Sequence, residues 1–425
     1  MKNFWSLVYN ILFLPALYLL LRFAGLFKQK IRKGIAGRKN LFDDLRANTK
    51  FLNHTGKLIW FHSASLGEFE QAKPIIEKLK IEQKENIIVT FFSPSGFDNS
   101  RKYPYADIIS YLPFDTKRNA QKFVSIIKPD LYIMMRYDIW PNLIWKLKQN
   151  NIPIFIVDAT MKNNSSRTLP GIKSFHKSLY KDISKILTVS KADAEAFKLF
   201  DMENDIVSVV GDTRFDRVYQ KSLEAIDKKL IHPDVLENKK VFVAGSTWEQ
   251  DEEVILPAYT KLVKYDKDVI LIIAPHEPTV LHLEKIENEF AGNIKTIRFS
   301  YLNNYSGERV IIVDSIGILL RLYTFADVAF VGGSFKQNVH NVLEAAVYGI
   351  PVMFGPKISN SQEAKELLER GGGLMIRGKR EAYRRLRSLF SDKDLRQARG
   401  KISLDYVQEN IGATNKIVDE IERVI

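Results

Sequence analysis

Leu58-Ile-Trp-Phe-His62-Ser-Ala-Ser-Leu-Gly-Glu68-Phe-Glu70 reads as one short strand, a loop of small residues and the opening turn of a helix that ends near Lys80. From Lys57 onward the same rhythm recurs. Short apolar runs rich in β-branched residues alternate with longer stretches of helical period, the pattern of parallel strands joined by crossover helices. Strands are expected in the first half at 58–61, 87–92, 107–112, 131–135, 154–157, 186–189 and 206–210. In the second half they are expected at 241–244, 269–274, 310–313, 328–331, 351–354 and 373–376. No sequence repeat accompanies the rhythm, so two similar architectures are expected rather than a solenoid. The natural division lies near residues 211–217, where the first set of strands ends ahead of a polar, charged helix. The fold class expected is α/β: two Rossmann-like, doubly wound domains, residues 28–212 and 213–425, facing a central cleft behind an N-terminal segment of residues 1–27. The last helix is a candidate to pack back on the first domain. In such sheets ligands sit beyond the carboxyl ends of the strands, so the loops after the strands are where chemistry is to be sought.

A chain of 425 residues with 45% hydrophobic composition can bury two cores of this size. It contains no cysteine. That excludes a disulfide framework, thiolate catalysis and Cys-based metal sites, and leaves carboxylates, His, Lys/Arg, hydroxyls and backbone dipoles to do chemistry. No Gly-x-Gly-x-x-Gly fingerprint follows any strand and no Walker A motif is present, which argues against a nicotinamide or flavin oxidoreductase and against ATP hydrolysis. The net charge of +13 does not by itself choose a partner, and no nucleic-acid-binding motif with interleaved aromatics accompanies it. The cations cluster in one place. Phe4 to Leu21 is an apolar stretch broken only by Ser6 and Asn10, near the minimum for a tilted span, and Arg22, Lys28, Lys30, Arg32, Lys33, Arg38 and Lys39 follow with no acid before Asp43. The positive-inside rule then places the rest of the chain in the cytoplasm, with the segment as an anchor or a monotopic insertion; a buried amphipathic helix of the first domain is the alternative.

Two strand-end loops stand out. In the first, Ser65 and Glu68 have the spacing of a helix cap, S-x-x-E, but they lie above a strand end among residues small enough to leave room for a ligand. In the second, the run 328–331 leads into Gly332-Gly333-Ser334 and then His340-Asn341-Val342-Leu343-Glu344. Glycines let a backbone approach a phosphate, the N–H groups of a following helix donate to it, and Glu344 one turn along can accept ribose hydroxyls. Gly245-Ser-Thr247, Pro275-His276 and Gly317-Ile318-Leu319 occupy equivalent places, each bland alone.

Together these residues resemble the 3-deoxy-D-manno-octulosonic acid (Kdo) transferase family, over essentially the whole chain. The resemblance is carried by His62-Ser-Ala-Ser-Leu-Gly-Glu68, Ser93-Pro-Ser-Gly96, Tyr111-Leu-Pro-Phe-Asp115, Ile139-Trp-Pro-Asn142, Gly211-Asp-Thr-Arg-Phe-Asp216, Gly245-Ser-Thr247, Ala326-Asp327 with Phe330-Val-Gly-Gly-Ser334, and His340-Asn-Val-Leu-Glu344. It implies a GT-B glycosyltransferase of the cytoplasmic face of the inner membrane, with an acceptor-binding first domain and a CMP-sugar-binding second. The implied reaction is inverting transfer of Kdo from CMP-Kdo to the lipid A precursor (lipid IVA) in lipopolysaccharide biosynthesis, with no cofactor, no metal and no nucleic-acid partner. It also implies roles. Glu68 resembles the catalytic base, Asp138 and Arg214 the positions that stabilise the transition state, and Pro275-His276, Gly317 to Leu319 and Asn341 to Glu344 the CMP site, with Gly333 and Ser334 beside it. Three departures stand out: Glu-Thr-Glu ahead of Trp-Pro-Asn is here Arg136-Tyr137-Asp138, Pro-Arg-His is Pro275-His276-Glu277, and the Gly-Gly before His-Asn is Asn338-Val339. The rival readings are a GT-B envelope enzyme using a UDP-sugar and a non-catalytic membrane-bound polyanion-binding protein.

Overall fold

The computed structural model describes residues 2–53, 55–162, 164–203, 205–226 and 230–425. Two compact units emerge: Met1–Arg217 with Ile411–Ile425, and Val218–Asn410. The division thus falls inside the helix Thr213–Ile226, and the C-terminal residues join the first unit.

The first unit is a seven-stranded parallel sheet of β1 (Leu58–Ser63), β2 (Asn86–Phe91), β3 (Ile108–Tyr111), β4 (Leu131–Met135), β5 (Ile154–Ala159), β6 (Lys185–Thr188) and β7 (Val207–Val209), in the order β3-β2-β1-β4-β5-β6-β7. The order reverses direction between β1 and β4, and a parallel sheet opens a ligand crevice at such a point. Every residue of β1 is buried, as continuous apolar runs covered on both faces require. Trp60 points to one face, against Phe123 and Tyr132, while Ile59 and Phe61 point to the other, among Phe69, Ile75 and Ile417. Each such aromatic or aliphatic side chain removed from water stabilises by about 1.5–3 kcal/mol.

The second unit repeats the architecture with β8 (Lys240–Thr247), β9 (Val269–Pro275), β10 (Thr296–Arg298), β11 (Val310–Ile312), β12 (Val328–Val331), β13 (Val352–Phe354) and β14 (Gly373–Met375), ordered β10-β11-β9-β8-β12-β13-β14 and all parallel. Its reversal lies between β8 and β12. The edge strand β10 was not anticipated: three half-buried residues, Thr-Ile-Arg, form no apolar run.

At the N-terminus Lys2–Val8, a π-helical turn Tyr9–Phe13 and Leu14–Phe27 follow one another; Asn3–Phe27 is long and apolar enough to cross a membrane, with a mean hydropathy of 1.8. One stripe of it is nevertheless seated on the first unit, where the Tyr9 hydroxyl donates to Asp115 at 3.0 Å. Burial pushes the Asp115 carboxyl up to about 7, against the pull of the Asn142 and Leu143 N–H groups, which donate to it from the start of the helix Pro141–Gln149. Arg38, counted among the basic cluster, is not a free cation. Its guanidinium donates to the carbonyls of Gly34, Phe92 and Leu112 and lies over the rings of Phe92, Tyr111 and Phe114.

Candidate active site

At the β1/β4 reversal the sheet brings two carboxylates to neighbouring strand ends. Glu68 lies in the first turn of the helix Leu66–Glu82, whose N-cap is Ser65. The cap is present: Ser65 Oγ accepts the Glu68 N–H at 3.5 Å, and Glu68 Oε2 reaches back to accept the Ala64 N–H at 2.6 Å. Capping holds the carboxylate in place without using it up, because among the described residues its second oxygen has no hydrogen bond. Burial raises the Glu68 pKa and the nearby Asp138 charge adds to the rise, while the Ala64 N–H, His62 and Arg136 act the other way; the net shift is upward. A carboxylate so placed is a stronger base than an exposed glutamate.

Asp138 follows β4 by three residues. Burial would raise its pKa, but His62 Nε2 at 2.8 Å and Trp140 Nε1 at 3.0 Å both contact Oδ2 and hold it below the ordinary value, so it stays ionised. His62, fully buried at the end of β1, also meets Thr90 Oγ1 at 3.0 Å, and that oxygen accepts from Trp60 Nε1 at 2.8 Å. When the Thr90 hydroxyl donates to Nδ1, the imidazole is left with its proton on Nε2, facing Asp138. The sequence marked His62 as part of a motif and gave it no role; its place one residue before the strand end, on the Trp60 face, was the available signal. Arg136, the cation that replaces an acid of the family pattern, takes a left-handed backbone (φ 62°) rare for a side chain of its size and donates its N–H to Val157 at 2.7 Å.

Arg214 opens the helix that follows β7, one turn ahead of Arg217, whose guanidinium lies 3.3 Å from Glu70 on the helix that carries Glu68. The segment 211–216 is tied together internally. The Arg214 guanidinium grips Asp212, with Nε 2.9 Å from Oδ2, and Thr213 hydrogen bonds through both its N–H and its hydroxyl to the fully buried Asp158. Burial, and after it the charge of Asp212, push Asp158 up to about 7. Asp216 accepts the N–H groups of Gly412 and Thr414, capping the last helix, Ala413–Glu422.

In the second unit the reversal between β8 and β12 brings together most of the residues expected at the donor site. Gly332 N–H donates to Gly245 across the two strand ends at 2.9 Å. The glycines meet protein rather than open space. A Cβ on Gly245 would lie 2.2 Å from the Tyr323 hydroxyl and 2.7 Å from Leu319; one on Gly333, at φ +91°, would lie 2.3 Å from the Asn338 carbonyl. The Gly333 and Phe335 N–H groups are taken by the buried Asp251, at 2.7 and 3.1 Å, and Ser334 Oγ accepts the Gly355 N–H at 2.6 Å. Of the expected phosphate cradle, the Gly332 and Gly333 N–H groups are therefore internally bonded. The helix expected to open at His340-Asn341 is a single turn, Leu343–Ala346, because Asn341 Oδ1 accepts the Leu343 N–H at 3.1 Å and holds the preceding residues out of it. Glu344 is half-buried, accepts from Asn341 Nδ2 at 3.2 Å and raises the pKa of Tyr323, beneath Gly245, after burial itself.

What the strand ends present is a stack of rings. His276 lies 4.4 Å from His340, nearly parallel, and 4.8 Å from Trp248, whose Nε1 donates to His340 Nε2 at 3.2 Å; the Lys336 ammonium sits 3.1 Å from the centre of the Trp248 ring. Burial first, and the adjoining His276, lower His340 to about 4, so it is neutral at pH 7. Trp248 and Lys336 were not foreseen, since neither belongs to a motif. Among the described residues no three His, Asp or Glu side chains converge as metal ligands.

Two doubly wound parallel units, each with polar residues gathered at its point of strand reversal, have the architecture of the GT-B fold. A glycosyltransferase from Rickettsia africae shares this fold, with a TM-score of 0.55 and 13% identity over 87% of this chain and 99% of its own. The family profile described as 3-Deoxy-D-manno-octulosonic-acid transferase (kdotransferase) matches residues 38–217. The 3-deoxy-D-manno-octulosonic acid transferase of Aquifex aeolicus is 31% identical over 339 residues, 79% of this chain and 86% of the relative. A bifunctional glycosyltransferase/methyltransferase of Fusobacterium nucleatum is 30% identical over 347 residues; the match spans 79% of this chain and only 53% of that longer protein. The chain belongs to the Kdo transferase family, and the enzymes of that family are glycosyltransferases.

Proposed function

We propose that this chain transfers Kdo from CMP-Kdo to the lipid A precursor lipid IVA at the cytoplasmic face of the inner membrane, with inversion at the anomeric carbon. The acceptor is assigned to the first unit and the CMP-sugar to the second. The observation that carries the reading is the Glu68–Asp138–His62 group at the β1/β4 reversal: one carboxylate raised in pKa with the Ala64 N–H on one oxygen, the other lowered, with His62 and Trp140 on one oxygen. Two acids pushed apart in this way take different roles.

The acceptor hydroxyl oxygen forms its bond to the anomeric carbon as the bond from that carbon to the CMP phosphate oxygen breaks. Glu68 takes the hydroxyl proton and CMP departs as a phosphate monoester, a leaving group that needs little acid help. Asp138 remains ionised, supports positive charge developing at the sugar and keeps the Glu68 pKa high. Arg214 supplies positive charge for the phosphate once the incoming anion competes with Asp212. On the donor side Glu344 holds the ribose, and the His276–His340–Trp248 rings with Pro275 and the segment Gly317-Ile318-Leu319 receive the nucleotide. The test is mass analysis of tetra-acylated lipid A precursor incubated with the protein and CMP-Kdo. A mass gain of one or more Kdo units is expected; turnover with UDP-sugars and none with CMP-Kdo would sink the reading.

A further inference from the structure

The N-terminal helix touches the first unit at both of its ends. Near its start Trp5 Nε1 donates to Ser174 at 3.3 Å, the Trp5 ring lies 5.4 Å from Phe175, Tyr9 donates to Asp115, and Asn10 and Asn142 exchange amide hydrogen bonds at 3.0 and 2.9 Å. Further along, Tyr18 meets Phe114 edge-on at 6.0 Å, and Gly25 packs against Ile31 and Ile35 of the helix Gln29–Ala36, whose Gly34 rests on Pro94. The opposite stripe is apolar and open: Phe4, Leu7, Ile11, Leu12, Leu19 and Phe23 are 58% to 68% exposed.

Length and composition alone would read this as a span, since 25 residues rise about 38 Å against a hydrocarbon core of about 30 Å. The contacts forbid it. A crossing helix would carry Trp5, Tyr9 and Asn10 to the far side of the bilayer from Ser174, Asp115 and Asn142, while Tyr18 and Gly25 stayed beside them. No helix can cross and keep both ends on one folded unit.

We infer that the helix Asn3–Phe27 lies in the plane of the membrane interface, its Trp5-Tyr9-Asn10 stripe seated on the first unit and its apolar stripe immersed in an anionic leaflet. This deepens the membrane placement proposed above and rests on it. A lipid surface is the occupant because the exposed cations Arg22, Lys28, Lys30, Arg32 and Lys39 border the apolar stripe, the pairing of acyl and anionic headgroup contacts that interfacial helices use.

The absence of cysteine makes the test direct. A Gly-Ser-Cys extension ahead of Met1 supplies one thiol, and Lys401→Cys, at an exposed position of the second unit, supplies a reference in a separate chain. Each is treated with a membrane-impermeant maleimide in spheroplasts and in inverted inner-membrane vesicles. The inference expects both thiols to label in inverted vesicles and neither in spheroplasts. Labelling of the extension in spheroplasts, with the protein still sedimenting with membranes, overturns the in-plane helix alone. Failure of the unmodified chain to sediment with vesicles containing phosphatidylglycerol overturns the membrane placement itself. Ile11→Glu combined with Leu19→Glu should lower that sedimentation at least tenfold at an unchanged melting temperature; a drop of that size from Tyr9→Phe instead would overturn the assignment of faces.

Discussion

The two points of strand reversal are built from the same sheet topology yet treat their polar groups in opposite ways. At β1/β4 the side chains carry charge and are left partly unsatisfied: Glu68 with one oxygen engaged, Asp138 with His62 and Trp140 on a single oxygen. At β8/β12 the corresponding charge, Asp251, is spent on the backbone N–H groups of Gly333 and Phe335, and what faces outward is a stack of rings: the imidazoles of His276 and His340 and the indole of Trp248. Proton transfer needs a base whose affinity for a proton is tuned in advance, whereas holding a nucleotide needs flat, rigid surface and a few hydrogen-bond acceptors. On the proposed assignment, one fold serves both tasks by changing which of its polar groups are consumed internally.

The sharpest way to break this contrast is Glu68→Gln. Turnover should fall by about 10²–10⁴ with CMP affinity retained, as for loss of a general base. Stability should not fall with it. The folded pKa of Glu68 is raised, so its stabilising contribution is complete below about 4.5 and is lost as pH rises through the folded value; at pH 7 the ionised carboxylate opposes folding, and the amide removes that opposition while still accepting the Ala64 N–H. Turnover and melting temperature measured on one preparation decide it: wild-type activity in a folded variant removes Glu68 as base, and activity lost only with the fold leaves it a helix cap.

His62→Phe probes the orienting partner. Thr90 and Asp138 each lose a buried hydrogen bond, a loss of about 1–3 kcal/mol by denaturant titration, and turnover should fall about tenfold to a hundredfold through misplacement of Asp138. The variant should also lose part of the wild type's acid sensitivity. Asp138 is held below its ordinary value by His62 and Trp140, so the stability it contributes is present above about 4 and is lost as pH falls through the folded value. Identical acid unfolding curves would show that His62 does not set that pKa.

On the second unit, Glu344→Ala should weaken CMP binding by about 1–3 kcal/mol in calorimetry and leave the β1/β4 chemistry intact; unchanged affinity removes Glu344 from the donor site. The smallest effect is expected from His340→Gln. Because the folded imidazole is held neutral to about pH 4, the wild type binds fewer protons than its unfolded chain between about 4 and 6.5 and loses stability as pH falls through that window. The variant should show a flatter melting temperature between pH 7 and pH 5, and equal slopes would show that the stack does not suppress protonation.

The alternation of strands and helices was readable from residue types alone, because buried parallel strands such as β1, β4 and β9 leave uninterrupted apolar runs. What escaped depends on geometry no local pattern encodes. β10 is an edge strand without an apolar signature. The Gly-Gly-Ser loop looked like a phosphate cradle because its distant partner Asp251, which takes the N–H groups, lies 82 residues from Gly333 in sequence. The ion pair of Arg214 with Asp212 was not legible because it requires the segment 211–216 to fold on itself. Ser6 and Asn10 read as interruptions of an apolar span, and Asn10 marks the stripe that faces the protein, bonded to Asn142.

The last helix carries a consequence for how the chain is made. Ile417, Val418 and Ile421 join the apolar layer that Phe69 and Ile75 form on one face of the first sheet, and Asp216 fixes the start of that helix. The whole second unit is therefore an insertion within the first. During synthesis the second unit can close as soon as it has left the ribosome, but the first, begun long before, keeps part of one face of its sheet, beside the helix Leu66–Glu82, uncovered until Ala413–Glu422 is released. The part of the protein that is translated first is the part that finishes folding last, and its uncovered sheet is the surface that chaperones must guard in the interval.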